Sequence, residues 1–564
     1  MSDQAMNKRD LSNPALSDRA LSNTPAAGAS PPALLSGPDI QPQEVHALLD
    51  SPHEWAFLDV REEGAFDRGH PFWAVNAPFS HLESRMPRLV PRKGTPLVLM
   101  DDADDGLARR AAQRLGQWGH HPVAVMQGGL QGWRDAGLPI YEGVHVPSKA
   151  FGEFVEHHEG TPSIDVKQLK DWQAQGRDML VLDCRPFDEF QQSSLPGSTN
   201  CPGVDLMVRA FSLVQREDTT VVVHCAGRTR GIIGAQTLIN AGLPNPVVTL
   251  RNGMADWVLA GGTLAKGNSR VAPPATPQGL LRALQAADQI AARFEVRTID
   301  ATQLQTLQAD PDRTLYLLDV RTPEEFDSGH LVGSHSAPGG QLIQTLDAFV
   351  GTRGARVVLC DDTGVRARVA ASWLVQMGWQ EVFVLEQGLS TPGLVLARGT
   401  ARDEDEPAPE IDILALRQGL EQGDKVLLDL SDSLQFGKQH IPGAWFAVRA
   451  RLAEALTRVP AHHQLVLTCP DGRFARRSLA DAQALSAVPV VVLKGGNAAW
   501  AQAGWPMAKG RHPLTTTNDD VWYSPIDRPD PIAAIHAYLD WEIGLAERLN
   551  QERGVQFKAM PRAG

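Results

Sequence analysis

Cysteine is scarce in this chain. Five occur in 564 residues (184, 201, 225, 360 and 469), and no two form a Cys-x-x-Cys pair. That excludes a disulfide framework and the usual zinc signatures, and it fits a reducing cytoplasm. Positive charge is also in deficit: the formal net charge is −13, which argues against nucleic acid or an anionic membrane surface as the main partner. Any anion chemistry must then come from local basic loops. No apolar run approaches the roughly 18 residues needed to cross a bilayer. No glycine-rich nucleotide loop and no cluster with metal-ligand spacing is visible, so neither a cofactor nor a metal is expected. Met1 to Pro32 lacks the apolar core of a secretory signal, and Asp3, Asp10 and Asp18 argue against a transit peptide. Residues 1–38 are expected to form a disordered tail.

What is present is ordinary globular composition, 43% apolar and 21% charged, in a length that suits three to five domains. Self-similarity divides it. A strand ending in an acidic residue recurs as Phe57-Leu58-Asp59-Val60-Arg61, Val181-Leu182-Asp183-Cys184-Arg185, Leu317-Leu318-Asp319-Val320-Arg321 and Leu427-Leu428-Asp429-Leu430-Ser431. A phenylalanine in a helical stretch follows each time (Phe66, Phe190, Phe326, Phe436), then a turn and a small-residue strand. A second apolar strand, a loop, a helix and a further strand complete each unit. Each closes on glycine: Gly128-Gly129 with Trp133, Gly253 with Trp257, Gly388, and Gly495-Gly496 with Trp500. Strands alternating with helices predict an α/β fold with a parallel sheet in each unit, and ligands of such sheets bind at the carboxyl ends of the strands.

At that end of the second unit, the β-branched run Val221-Val222-Val223 leads through His224 to Cys225. The loop Ala226-Gly227-Arg228-Thr229-Arg230 follows, and Ile232 to Leu238 has helical spacing. Loop amides and a helix N-terminus would surround the sulfur with positive potential and lower its pKa, making a thiolate nucleophile. Gly227 is expected to take a positive φ or to admit an anion closely. Arg228 and Arg230 are candidate oxyanion ligands. Asp183 and Arg185 fall on one sheet face at the strand end.

The Leu-Asp-x-Arg strand, the Cys loop running into a helix and the closing Gly-Gly…Trp turn resemble the rhodanese, or sulfurtransferase, family. The likeness implies four tandem rhodanese-like domains, expected at 39–142, 161–265, 294–398 and 409–510, with a C-terminal extension over 511–564. In that family a loop cysteine takes the outer sulfur of thiosulfate or a related donor as a persulfide and passes it to cyanide or a thiol. Cys225 would be that nucleophile. Ala226, Gly227, Arg228, Thr229 and Arg230 would hold the donor together with Arg185, and an Asp183–Arg185 pair would brace the loop. The partners implied are a small anionic sulfur donor and a thiophilic acceptor, with room for a protein partner.

Aligning the units places Asp361 opposite Cys225 in the third, with Cys360 one residue early and pointing away. In the first unit the position falls on Asp101 by the strand or Asp102 by the helix, in a loop one residue longer. A carboxylate cannot form a persulfide, so both units are expected to be inactive. The fourth unit offers Cys469 as a second candidate nucleophile, although Pro470 removes an amide donor, Asp471 offsets Arg473, and Ser431 replaces the strand arginine. Cys184 and Cys201 are expected to be packing residues. Val144 to Gly160, Lys266 to Gln278 and Ala401 to Pro409 read as linkers. Asp530 to Gln551 reads as a docking helix through Ile532, Ile535, Leu539 and Ile543, serving core packing. Two rivals stand beside the sulfurtransferase. A phosphatase of the same fold requires His-Cys-x5-Arg, whereas Arg230 follows Cys225 after four residues and Gly231 stands in the arginine's place. A persulfide-carrying or interaction scaffold is the other.

Overall fold

The computed structural model describes residues 34–35, 37–399 and 407–559. Most of the tail expected over 1–38, and residues 401–406 of the acidic linker, lie outside the described residues. Each unit holds one five-stranded parallel sheet, and all four share one strand order. In the second unit the strands run, edge to edge, Ser163–Ile164, Val247–Leu250, Thr220–His224, Met179–Asp183 and Thr199–Asn200. The central strand is covered on both faces, which is why it reads as a continuous apolar run. Val221 and Val223 face one core with Leu206 and Leu238, while Val222 faces another with Ile164, Leu250 and Trp257.

The units are not beads on a string. Units two and three share one core, built from the helices Asp205–Leu213, Thr229–Asn240, Pro277–Arg293 and Val365–Gln376. There the backbones of Gly203 and Gly340 meet so closely that a Cβ on Gly203 would lie 2.4 Å from Gly340 Cα. Units one and four share a second core. Its polar seam joins Arg449 to Glu83 and to Asp481, each at 2.7 Å.

One segment expected as a linker, Val144 to Gly160, is helical, whereas Lys266 to Gln278 is irregular until Pro277, where a longer helix begins. Val146–Glu159 is a helix with Pro147 in its first turn and Gly160 closing it at φ 64°, and Phe151 and Val155 bury its inner face. Pro277–Arg293 is a 17-residue helix capped by Thr276, whose hydroxyl accepts from Gly279 N at 3.1 Å. Pro147 and Pro277 each stand in the first turn of their helix, where proline signals onset. The C-terminal helix spans Pro531–Ile543. Ile535 and Leu539 are buried on it, but Ile532 and Ile543 are exposed. Among the described residues no helix is long and apolar enough to cross a membrane.

Arg366 of unit three and Asp205 of unit two form an ion pair in which both side chains are 5% exposed. Removing one partner of such a pair leaves a buried charge uncompensated. Asp205→Ala should therefore cost about 3 kcal/mol, the low end for a buried pair because Glu325 and Asp362 remain on the arginine. Urea unfolding should show an earlier transition; an unchanged midpoint would contradict a structural role for this seam.

Candidate active site

The central strand of unit two stops at His224, and Cys225 is the first residue beyond it, 3% exposed. Register places Asp183 beside His224 on the neighbouring strand, so the next residues, Cys184 and Cys225, are neighbours across the sheet. Cys184 Sγ lies 3.1 Å from His224 O and within hydrogen-bonding reach of Cys225. The Cys225 pKa is lowered to about 7. The Cys184 hydrogen bond contributes most; burial opposes it, while the Arg230 charge and the Gly231 amide assist. Cys184 remains a thiol, its pKa pushed well up by that same bond and by burial. Expected as packing, it also sets the charge state of its neighbour.

Arg185 grips Asp183 with two nitrogens, Nε at 3.0 Å and Nη2 at 2.7 Å, and its amide donates to the same carboxylate at 3.1 Å. Asp59–Arg61 and Asp319–Arg321 repeat this pair. In the fourth unit Ser431 Oγ and Asn497 Nδ2 bind Asp429 instead. The closing glycine has a steric cause. Gly253 sits at φ 53°, and a Cβ there would lie 2.3 Å from Cys225 O. The equivalent distances are 2.6 Å at Gly129 to Asp101 O, 1.9 Å at Gly388 to Asp361 O and 2.2 Å at Gly496 to Cys469 O. Gly227, by contrast, does not take a positive φ, which corrects that half of its expectation, and its bare face looks toward Tyr538 and Glu542.

The other loops hold an anion in the same cup. Asp361 accepts from Gly364 N at 2.6 Å and Arg366 N at 3.0 Å. Asp101 accepts from Asp104 N at 3.1 Å and Ala108 N at 3.0 Å. Asp101, not Asp102, fills the first cup, because Asp102 turns outward to Arg61. Its helix begins at Leu107, so the loop is two residues longer than its counterparts rather than one. Burial raises both carboxyl groups, Asp101 and Asp361, to about 6. Cys360 faces the opposite core with Leu317, Val358 and Leu385.

Two of the cups open into cavities walled from outside their own unit: beside the first, Arg61, Asp102 and Arg110 face Arg451 of unit four and Asp519 of the C-terminal extension, and in unit two the same happens around a cysteine. A cavity of about 450 Å³ opens above Cys225. It is lined by the loop (Ala226, Gly227, Arg228, Thr229, Arg230), by Arg185 and by Met254, all of unit two. Lys149 of the bridging helix Val146–Glu159, Gln341 of unit three, and Trp522, Tyr538 and Glu542 of the C-terminal extension complete it. The C-terminal helix thus builds the site, a role beyond the packing expected of it. Arg228 and Arg230 line the cavity too, but neither guanidinium is free for a sulfonate as expected. Arg228 spans Glu153 at 2.7 Å with two nitrogens, reaches Glu156, and donates to Asn252 at 2.8 Å. Arg230 binds both oxygens of Glu189, at 2.8 and 3.0 Å, leaving its buried Nε without a partner. Thr229 Oγ1 donates to Glu542 at 2.7 Å. Lys149, Glu153, Tyr538 and Glu542 went unread because they lie outside the repeat; a helix starting at Pro147 is the signal that could have found the first two.

Residues 41–136, 165–260, 300–391 and 413–503 each match the Rhodanese-like domain family. The chain belongs to that family. Over 93% of its length it resembles the crystal structure of thiosulfate sulfurtransferase from Pseudomonas aeruginosa, 99% of which is covered, with a TM-score of 0.88 and 43% identity. It is 28% identical over 163 residues to 3-mercaptopyruvate sulfurtransferase of Mus musculus, covering 27% of this chain and 54% of the relative. A chicken (Gallus gallus) relative, Centrosomal protein of 41 kDa, is 30% identical over 86 residues, 14% of this chain and 23% of that protein. The chain spans about half the length, or less, of these curated relatives.

In the fourth rhodanese unit, Cys469 Sγ accepts from Gly472 N at 3.2 Å and Ala475 N at 3.4 Å. Burial nevertheless raises its pKa, and the adjoining Phe474 ring stacks on His81 of the first unit at 4.7 Å. No second thiol adjoins it as Cys184 adjoins Cys225: the equivalent strand position is Leu430.

Because the Cys225 pKa lies below the ordinary thiol value, its thiolate predominates above about pH 7. Alkylation of Cys225 by iodoacetamide should rise through that pH to a plateau. Cys184→Ala should move the midpoint upward and slow alkylation at pH 7; an unmoved midpoint would contradict the assignment of Cys184 as the donor.

Proposed function

We propose that this rhodanese-family chain is a sulfurtransferase whose working nucleophile is Cys225, with a small anionic sulfane-sulfur donor such as thiosulfate. The thiolate attacks the outer sulfur, the sulfur–sulfur bond breaks, and sulfite leaves with the bonding pair. Cys225 is left as a persulfide whose outer sulfur lies in the field of Arg230 and the Gly231 amide. A thiophilic acceptor, cyanide or a thiol, then removes that sulfur and regenerates the thiolate, which gives ping-pong kinetics. Ala226, Gly227 and Thr229 contribute the loop backbone, and the Asp183–Arg185 pair anchors the strand end beneath it.

One observation carries this proposal: Cys225 combines a lowered pKa with an open cavity lined by side chains from outside its own unit. Two of the relatives named above, a thiosulfate and a 3-mercaptopyruvate sulfurtransferase, support the same chemistry. Arg230 follows Cys225 after four residues, and its terminal nitrogens hold Glu189, which disfavours a phosphatase. Units one and three, with carboxylates in their cups, serve as scaffold. The reducing cytoplasm belongs to the same proposal and suits five free, buried cysteines.

Intact-mass spectrometry after thiosulfate treatment tests it. Wild type should gain one sulfur, Cys469→Ser should gain the same, and Cys225→Ser should gain none. A second sulfur removed by Cys469→Ser would make unit four active. No gain with any donor would favour the scaffold.

A further inference from the structure

The cations of the Cys225 cavity are unequal. Arg185, Arg228 and Arg230 each hold a carboxylate at 2.8 Å or less. Lys149 does not: among the described residues no carboxylate lies within ion-pair distance of its Nζ, and no hydrogen bond reaches it. The residue is only 4% exposed, yet it lines the cavity. The rings of Trp522, Tyr538 and Trp541 surround the ammonium at 5.7, 5.1 and 5.0 Å. Aromatic faces offset part of the desolvation of such a cation without neutralising it. Its pKa falls to about 8 under burial, with Glu542, Asp67 and Asp347 opposing the fall, so it remains mostly charged at neutral pH.

Glu542 supplies the opposite charge. One oxygen accepts from Thr229, and the other is buried without a hydrogen-bond partner. That second oxygen would lie 3.6 Å from a Cβ placed on Gly227, at the mouth of the cup. A cation without an ion pair at the cavity wall and a buried carboxylate oxygen without a hydrogen bond both call for a ligand. The cavity, at about 450 Å³, falls in the range that encloses organic ligands (about 300–1,000 Å³) rather than a five-atom inorganic ion.

We propose that Lys149 is the specificity residue for the sulfur donor, binding the carboxylate of a low-molecular-weight amino-acid or short-peptide persulfide whose N–H group meets Glu542. The inference rests on the sulfurtransferase reading above and extends it to the donor. The transfer balances without an added oxidant. Cys225 thiolate attacks the outer sulfur of R–S–SH, the sulfur–sulfur bond breaks, and R–S⁻ leaves with the bonding pair as Cys225 becomes Cys–S–SH. The reduction in charge at Arg228 and Arg230 agrees with this choice, since the paired loop offers less to a compact dianion than Lys149 offers to a carboxylate some distance from the sulfur. The C-terminal extension, in turn, supplies the aromatic rings around Lys149 and, in Glu542, the charge that most opposes the fall in its pKa.

The test compares two donors, cysteine persulfide and the persulfide of cysteine amide, on wild type, Lys149→Met and Lys149→Arg. Wild type should prefer the acid to the amide. Lys149→Met should raise KM for the acid at least tenfold, hold its kcat within twofold, and leave both constants for the amide unchanged. Lys149→Arg should restore much of the preference, which a merely structural lysine would not do. Equal losses on both donors, or none on either, would overturn the inference while leaving the sulfurtransferase intact. Failure of wild type to take sulfur on Cys225 from either persulfide or from thiosulfate would overturn both.

Discussion

The structure turns on a cup of backbone amides at the end of each unit's central strand. Each cup holds one electron-rich atom: a cysteine sulfur in units two and four, a carboxylate in units one and three. The closing glycine of every unit presses against the carbonyl of the residue in the cup, where no side chain fits. Parallel strands bring their carboxyl ends and the helix N-termini to one edge, and the cup is the result of that topology. Asp101 and Asp361 accept amide hydrogen bonds in their cups, yet burial outweighs those bonds and raises both pKa values.

What separates the second unit is therefore its surroundings. Cys184 sits beside the sulfur on the adjacent strand, and the bridging helix places Glu153 and Glu156 against Arg228. The C-terminal helix returns across the molecule to set Tyr538 and Glu542 over Gly227. Units one, three and four contribute the frame: two shared cores fix the geometry in which those distant segments converge. A chain of four repeats thereby builds one such site around a cysteine, with additions from segments between and after the repeats, while the first unit's cup, walled by Arg451 and Asp519, holds a carboxylate.

Much of the frame was legible because it obeys local rules. Val221 to Cys225 reads as a strand with a terminal thiol, and the recurrence of Leu-Asp-x-Arg revealed four sheets. The alternation of strand side chains set Cys360 apart from Asp361, as the structure has it. The pairing of Arg228 and Arg230 was not legible, since their carboxylate partners lie 75 and 41 residues away in sequence. Nor was the role of Lys149, which depends on three aromatic rings from the end of the chain. The positive φ expected at Gly227 is absent, because the loop there turns without a left-handed residue.

The central claim is that the groups around the cup, Cys184 and Arg230 together with the imported walls, and not the cup alone, make a reactive sulfur. Asp361→Cys in a chain that also carries Cys225→Ser and Cys469→Ser places a thiol in an intact cup without those walls. Intact-mass spectrometry after exposure to thiosulfate and to cysteine persulfide should then show no added sulfur on the folded protein. Loading of that cysteine at a rate near that of Cys225 in the wild-type chain would contradict the account, because the cup alone would then suffice.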